Sequence, residues 1–139
     1  MKLNRSVKIV ISVLLAFSML AMGVMAAVGD QISPYWLNTR KIEIVHGYSD
    51  GNALCNIIIT GYAGTSSIEN VDIKLYKISG SSLSLAKRWD DLSCTGNVFE
   101  FYDEVPNVSS GYTYRLEFTA DVYKDGVKET IEDYHDVEY

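Results

Sequence analysis

The chain has 139 residues, 47% apolar and 22% charged, with a formal net charge of −6. That length holds one domain and one core, with no room for a second. So acidic a surface repels nucleic acid phosphates and anionic lipid head groups, which removes both as partners.

Lys2, Arg5 and Lys8 form a basic start, Ile9 to Ala26 carry no charge, and Val24-Met25-Ala26-Ala27 is a run that suits a signal peptidase. This pattern predicts a Sec signal peptide over residues 1–26, cut after Ala26. The apolar run is also just long enough for a retained membrane anchor, the other outcome for this segment. No cysteine lies near the cut, which argues against a lipoprotein anchor. Cleavage removes three cations and no acid, so the mature chain is more acidic still, and it is secreted without membrane attachment. Residues 27–34 read as a flexible lead and residues 35–139 as the folded domain.

Tyr35-Trp36-Leu37 is too short for an element and reads as a plug under the sandwich edge. Lys41 to Tyr48 alternates Ile42, Ile44 and His46 against Lys41, Glu43 and Val45, which predicts a first strand, and Asp50-Gly51-Asn52 is a turn signal. Ala53 to Tyr62 is a second strand with Ala53, Cys55, Ile57 and Ile59 inward. Leu54 and Ile58 on its other face mark it as central. After a Gly, Thr and Ser loop, Ile68 to Ile78 is a third strand with Val71, Ile73 and Leu75 inward and Tyr76 outward. Leu83 to Trp89 is a short, mixed edge strand, with Trp89 placed to fold over the core. Asp90 to Ser93 reads as a loop, and Val98 to Tyr102 as a fifth strand with Phe99 and Phe101 inward.

Tyr112 to Tyr123 is the strongest pattern. Tyr112, Tyr114, Leu116, Phe118, Ala120 and Val122 alternate with polar residues, which predicts a half-buried central strand needing a second sheet opposite it. Asp125-Gly126 is a two-residue hairpin signal that sets Lys124 against Val127 and Glu117 against Tyr134. In that last strand Val127, Ile131 and Val137 share the inner face with Glu129, Asp133 and His135. Either the strand is an edge guarded by inward charge, or its register slips near Asp133.

Seven short strands and no helix beyond the signal segment define an all-β, immunoglobulin-like antiparallel β-sandwich. Gly111-Tyr112-Thr113-Tyr114-Arg115-Leu116 resembles the start of strand F in fibronectin type III domains. There a tyrosine closes the corner between strands E and F, which implies that the Tyr114 hydroxyl returns to the backbone near Val108. Ser33-Pro34-Tyr35-Trp36, Cys55 with Thr60-Gly61-Tyr62-Ala63-Gly64-Thr65, Leu75-Tyr76-Lys77 and Trp89 together resemble a family of small exported proteins of Gram-positive Firmicutes, a domain family of unknown function. That resemblance implies export and a sandwich but no activity.

Two cysteines in an exported chain permit one disulfide, Cys55 to Cys94; a pair of small buried thiols is the other reading. His46 and His135 stand alone, so no zinc set forms, and no HExxH, nucleophile elbow or phosphate-binding glycine loop occurs. Carboxylates are plentiful in the loops, but the D-x-[DN]-x-[DN]-G spacing of a calcium loop is absent. No enzyme activity and no cofactor are expected. What remains is a surface. Strand parity turns Tyr76, Arg115, Glu117 and Tyr134 outward on three strands that are neighbours in an immunoglobulin-like order, and tyrosine and arginine are common interface anchors. Outward tyrosines also suit strands simply by pairing across them. The expected function is an exported binding module for a protein at the cell surface. Alternatives are a carbohydrate-binding module, with Tyr35, Trp36, Tyr76 and Tyr134 as its rings, and a structural envelope protein that associates through edge strands.

Overall fold

The computed structural model describes residues 36–139. The expected signal peptide, the lead and Tyr35 lie outside the described residues. Seven strands follow in order: β1 (Thr39–Ser49), β2 (Asn52–Gly61), β3 (Thr65–Ser79), β4 (Ser82–Thr95), β5 (Val98–Val105), β6 (Thr113–Lys124) and β7 (Val127–Glu138). They form two antiparallel sheets, β1-β2-β5 and β4-β3-β6-β7. Lettered from the N-terminus, A-B-E faces C′-C-F-G, the order of a fibronectin type III sandwich. No helix occurs among the described residues.

The core forms where the two apolar faces meet. Ala53, Cys55, Ile57 and Ile59 of β2 oppose Val71, Ile73 and Leu75 of β3 and Tyr114, Leu116, Phe118, Ala120 and Val122 of β6, all buried. Burying such side chains contributes about 1.5–3 kcal/mol each, so these two central strand sets dominate stability. Tyr112, expected on the same inner face, instead precedes β6 and is 42% exposed, with the Lys77 ammonium 3.3 Å above its ring. The period-two pattern continues one residue beyond the strand, where the Lys77 side chain rather than the apolar core covers the ring.

Two-residue turns set the register. Asp50-Gly51 and Asp125-Gly126 both have positive φ at both positions, which suits the right-handed twist of the flanking strands. Lys124 pairs with Val127 and Glu117 with Tyr134, without a slip anywhere along β6 and β7. The alternative of a slipped register near Asp133 is thereby removed. In β3, Ile68 and Val71 are both fully buried although three residues apart. The pairing shifts between them, and Asn70 adopts φ 49°, so a bulge absorbs the odd residue and returns both side chains to the core.

The expected Asp90–Ser93 loop is instead a continuation of β4. The pairing shifts between the Ile73–Trp89 and Val71–Leu92 partners, Asp91 takes φ 56°, and its N–H donates to Asp72 Oδ1 at 3.0 Å. Polar residues that read as a break are absorbed by a bulge on a strand with one free edge. Trp89 closes this side of the sandwich as expected. Its Nε1 donates to Asp103 Oδ2 on β5 at 2.7 Å, and its ring meets Phe101 edge-on at 5.0 Å. Trp36 packs on the core, as a plug should, but Leu37 is 78% exposed.

Cys55 and Cys94 are both free thiols, so the disulfide reading is not met. Cys55 pairs across from Asp103, whereas Cys94 donates to the Val98 carbonyl, and Val98 pairs with Thr60. Five residues of β2 separate those levels, roughly 16 Å at about 3.3 Å per residue, far beyond the Cα span of a bridge. Burial pushes the Cys55 thiol up to about 12.

The Tyr114 hydroxyl accepts the Ser109 N–H at 3.1 Å, the corner bond expected from the sequence, and the ring stacks on Tyr139 with centroids 4.4 Å apart. Removing that hydroxyl leaves a partly buried N–H without its partner. Tyr114→Phe should therefore cost roughly 1–2 kcal/mol in urea unfolding, and an unchanged midpoint would show that the corner bond does not contribute.

Candidate binding face

The outer face of β3, β6 and β7 brings the four sequence-selected residues together. Tyr76 pairs across from Arg115, and Glu117 pairs across from Tyr134 on the other side. All four point away from the core because their neighbours Leu75, Leu116 and Phe118 point into it. Arg115 also faces Asp136, and the two form a fork: Nε to Oδ1 at 2.7 Å and Nη2 to Oδ2 at 2.8 Å. The guanidinium carbon lies 4.0 Å from the centre of the Tyr134 ring, so the same group is held by a carboxylate and a π-face at once. The Arg115 hydrogen bond holds the Asp136 carboxyl below its usual range, despite the opposing effect of burial. Lys74 Nζ lies 3.8 Å from Glu117 Oε1. Tyr134 remains 55% exposed, so an aromatic surface and an orientated guanidinium are presented to solvent side by side.

A second polar cluster lies farther along the same outer face, at the β3 bulge. Asp121 accepts from Thr130 Oγ1 at 2.6 Å and Asn70 Nδ2 at 2.9 Å, with Lys128 Nζ at 3.5 Å. Burial opposes its charge, but these donors together hold its carboxyl below the usual range. Beside the bulge lies a shallow polar depression of about 370 Å³, lined in part by Glu69, Asp91 and Cys94. Desolvation raises the Cys94 thiol, the opposite of what a nucleophile needs. Among the described residues no group of three or more His, Cys, Asp or Glu side chains is placed to hold a metal ion.

The two histidines, read as solitary, in fact meet. His46 on β1 and His135 on β7 have ring centroids 5.4 Å apart. His46 Nε2 lies 2.8 Å from the His135 carbonyl oxygen, so it carries the proton and donates, and Nδ1 then accepts from the Tyr139 hydroxyl at 2.6 Å. The inward parity of His46 beside Ile42 and Ile44 was the signal; its partners are about 90 residues away in the chain, where no local pattern reaches. Glu129, another inward residue of β7, was also unexplained by pattern alone. Its carboxylate accepts the N–H of Leu37, of Asn38 at 2.8 Å and of Thr39 at 3.0 Å, together with the Thr39 hydroxyl at 3.0 Å.

Comparison with known proteins adds little to this geometry. No family model matches the chain, and no curated protein matches it. Among solved structures it is similar to Spo0M, a sporulation control protein from Bacillus subtilis, at 13% identity and a TM-score of 0.43. That similarity covers 75% of this chain and 51% of the other, so the chain spans about half the length of that protein.

Burial lowers the His46 pKa from 6.5 to about 4, opposed by the His135 carbonyl and reinforced by the His135 ring. The folded state thus binds fewer protons than the unfolded state between these values. Stability is complete above about pH 6.5 and falls as pH drops toward 4, by roughly 3 kcal/mol from this group. The carboxylates with lowered values, Asp121 and Asp136, are lost only below about pH 4, outside that window. Urea midpoints between pH 7 and 4.5 should fall steeply for the parent and weakly for His46→Gln; parallel slopes would contradict the buried neutral imidazole.

Proposed function

We propose that the chain is an exported, non-catalytic binding module that docks a protein at the cell surface through the outer face of β3, β6 and β7. The observation that carries this reading is Arg115, fixed by a two-point bond to Asp136 and laid on Tyr134 while the ring stays exposed. A side chain already ordered loses little freedom when a partner arrives, and arginine and tyrosine together supply area, π-surface and unused N–H donors. Export rests on the basic start at Lys2, Arg5 and Lys8 and the uncharged run from Ile9 to Ala26. The resemblance to small exported proteins of Gram-positive Firmicutes points to the same compartment.

The test is a capture experiment from cell-surface extracts, run beside a glycan array. A protein partner should be retained by the parent and lost, about tenfold in affinity for each, by Tyr134→Ala and Tyr76→Ala. Both side chains face outward, so folding should survive, as judged by an unchanged unfolding midpoint. Undiminished capture by both variants would remove this face from the function. A glycan signal abolished by Tyr76→Ala would replace the protein partner with a carbohydrate.

A further inference from the structure

The free edges of the two sheets are guarded unequally. β7 carries Glu129, Glu132, Asp133, Asp136 and Glu138, and β5 carries Glu100, Asp103 and Glu104. β1 is held against β7 through His46 and the residues that Glu129 binds. β4 differs. It pairs with β3 on one side only, and it begins Ser82-Leu83-Ser84-Leu85-Ala86, five residues with no charge, all exposed. Leu83 and Leu85 are 47% and 53% exposed. Monomeric proteins interrupt such edges with charge, proline or a bulge, and here the first charge is Lys87 and the first irregularity falls between Leu85 and Lys87.

We propose that this edge pairs antiparallel with the same edge of a second copy, about a two-fold axis at Ser84, joining two four-stranded sheets into one of eight. The sequence is self-complementary in that register. Leu83 of each copy falls opposite Leu85 of the other, on the outer face where Ile78 and Tyr76 are their partners on β3. Each row then reads Tyr76, Leu85, Leu83, Ile78 across the axis, a continuous apolar stripe that occurs twice. Lys87 falls opposite Ser81 and Arg88 opposite Gly80, so no like charges meet. Centring on Leu85 instead would set Leu83 against Lys87, and centring on Leu83 would set Leu85 against the turn at Ser81. The inner side is also open, because Ser84 is exposed where the β1-β2-β5 sheet does not cover it. Such an axis runs perpendicular to the sheet, an isologous contact that closes at two copies. It also turns both outer faces to the same side, so a dimer presents Tyr76, Arg115, Glu117 and Tyr134 twice on one surface, the geometry of bivalent binding.

Directly opposed residues in an antiparallel pair have Cα atoms about 4.5–5.5 Å apart, within the span of a disulfide. In the full 139-residue chain, Ser84→Cys should therefore yield a reducible covalent dimer on mild oxidation. Glu132→Cys on the β7 edge and the parent, with its native Cys94, should not. Adding Leu85→Lys, a change at an exposed position, should abolish the Ser84→Cys link, and Leu85→Lys alone should sediment as a monomer where the parent is dimeric. Linking through Ser84→Cys no faster than through Glu132→Cys would overturn the proposal. So would a parent chain that stays monomeric, even if its β4 edge captured a strand of another protein.

Discussion

A carboxylate that points inward from an edge strand, Glu129, holds one side of this sandwich shut. Three successive backbone N–H groups, those of Leu37, Asn38 and Thr39, converge on it, together with the Thr39 hydroxyl. Those groups precede or begin β1 and have no ladder partner for their N–H groups on that side. The Leu37 N–H is exposed and could turn to water, but those of Asn38 and Thr39 are partly buried, and each left without an acceptor would cost about 1–3 kcal/mol. Asn38 completes the clasp from its side chain, donating to the Val122 carbonyl at 3.0 Å and the Val127 carbonyl at 2.9 Å. The start of β1 is thereby fixed to β6 and β7, and Ile42 can reach the core. Farther along the same seam His46 repeats the device, with its ring bridging the His135 carbonyl and Tyr139.

The opposite seam is closed differently, by Trp89 reaching from β4 to Asp103 and Phe101 on β5. One seam is polar and held by charge and imidazole, the other is aromatic. Between them the outer face of β3, β6 and β7 is free of any structural duty toward the second sheet. A face without packing work can carry an ordered Arg115 and an exposed Tyr134, and the uncharged start of β4 lies on its border.

Much of the fold was legible because it is local. Period-two alternation in β2, β3 and β6 gave the core faces, and Asp125-Gly126 gave the β6–β7 register, which in turn placed Glu117 against Tyr134 and assembled the candidate face. Tyr114 was legible through the glycine and tyrosine spacing before strand F. Where two polar residues interrupted a pattern, local reading failed: Asp90-Asp91 suggested a loop, whereas a bulge carries β4 through them. Tyr112 failed for the reverse reason, since its alternation continues one residue beyond the strand. The inward polar residues of β7 were visible as an anomaly and not as an answer. Their partners, Leu37 to Thr39 and His46, lie about 90 residues earlier, and only the sandwich closure brings them together. The two thiols illustrate the same limit, because an even cysteine count says nothing about which level of the sandwich each one occupies.

The most direct measurement is the unfolding free energy of Glu129→Ala against the parent, at neutral pH in urea. If the carboxylate closes the β1–β7 seam, the variant should lose about 3 kcal/mol or more, since several N–H groups and a hydroxyl lose a charged acceptor together. A loss within about 0.5 kcal/mol, the ordinary range of a surface substitution, would contradict that role and leave the apolar core as sufficient to close the sandwich.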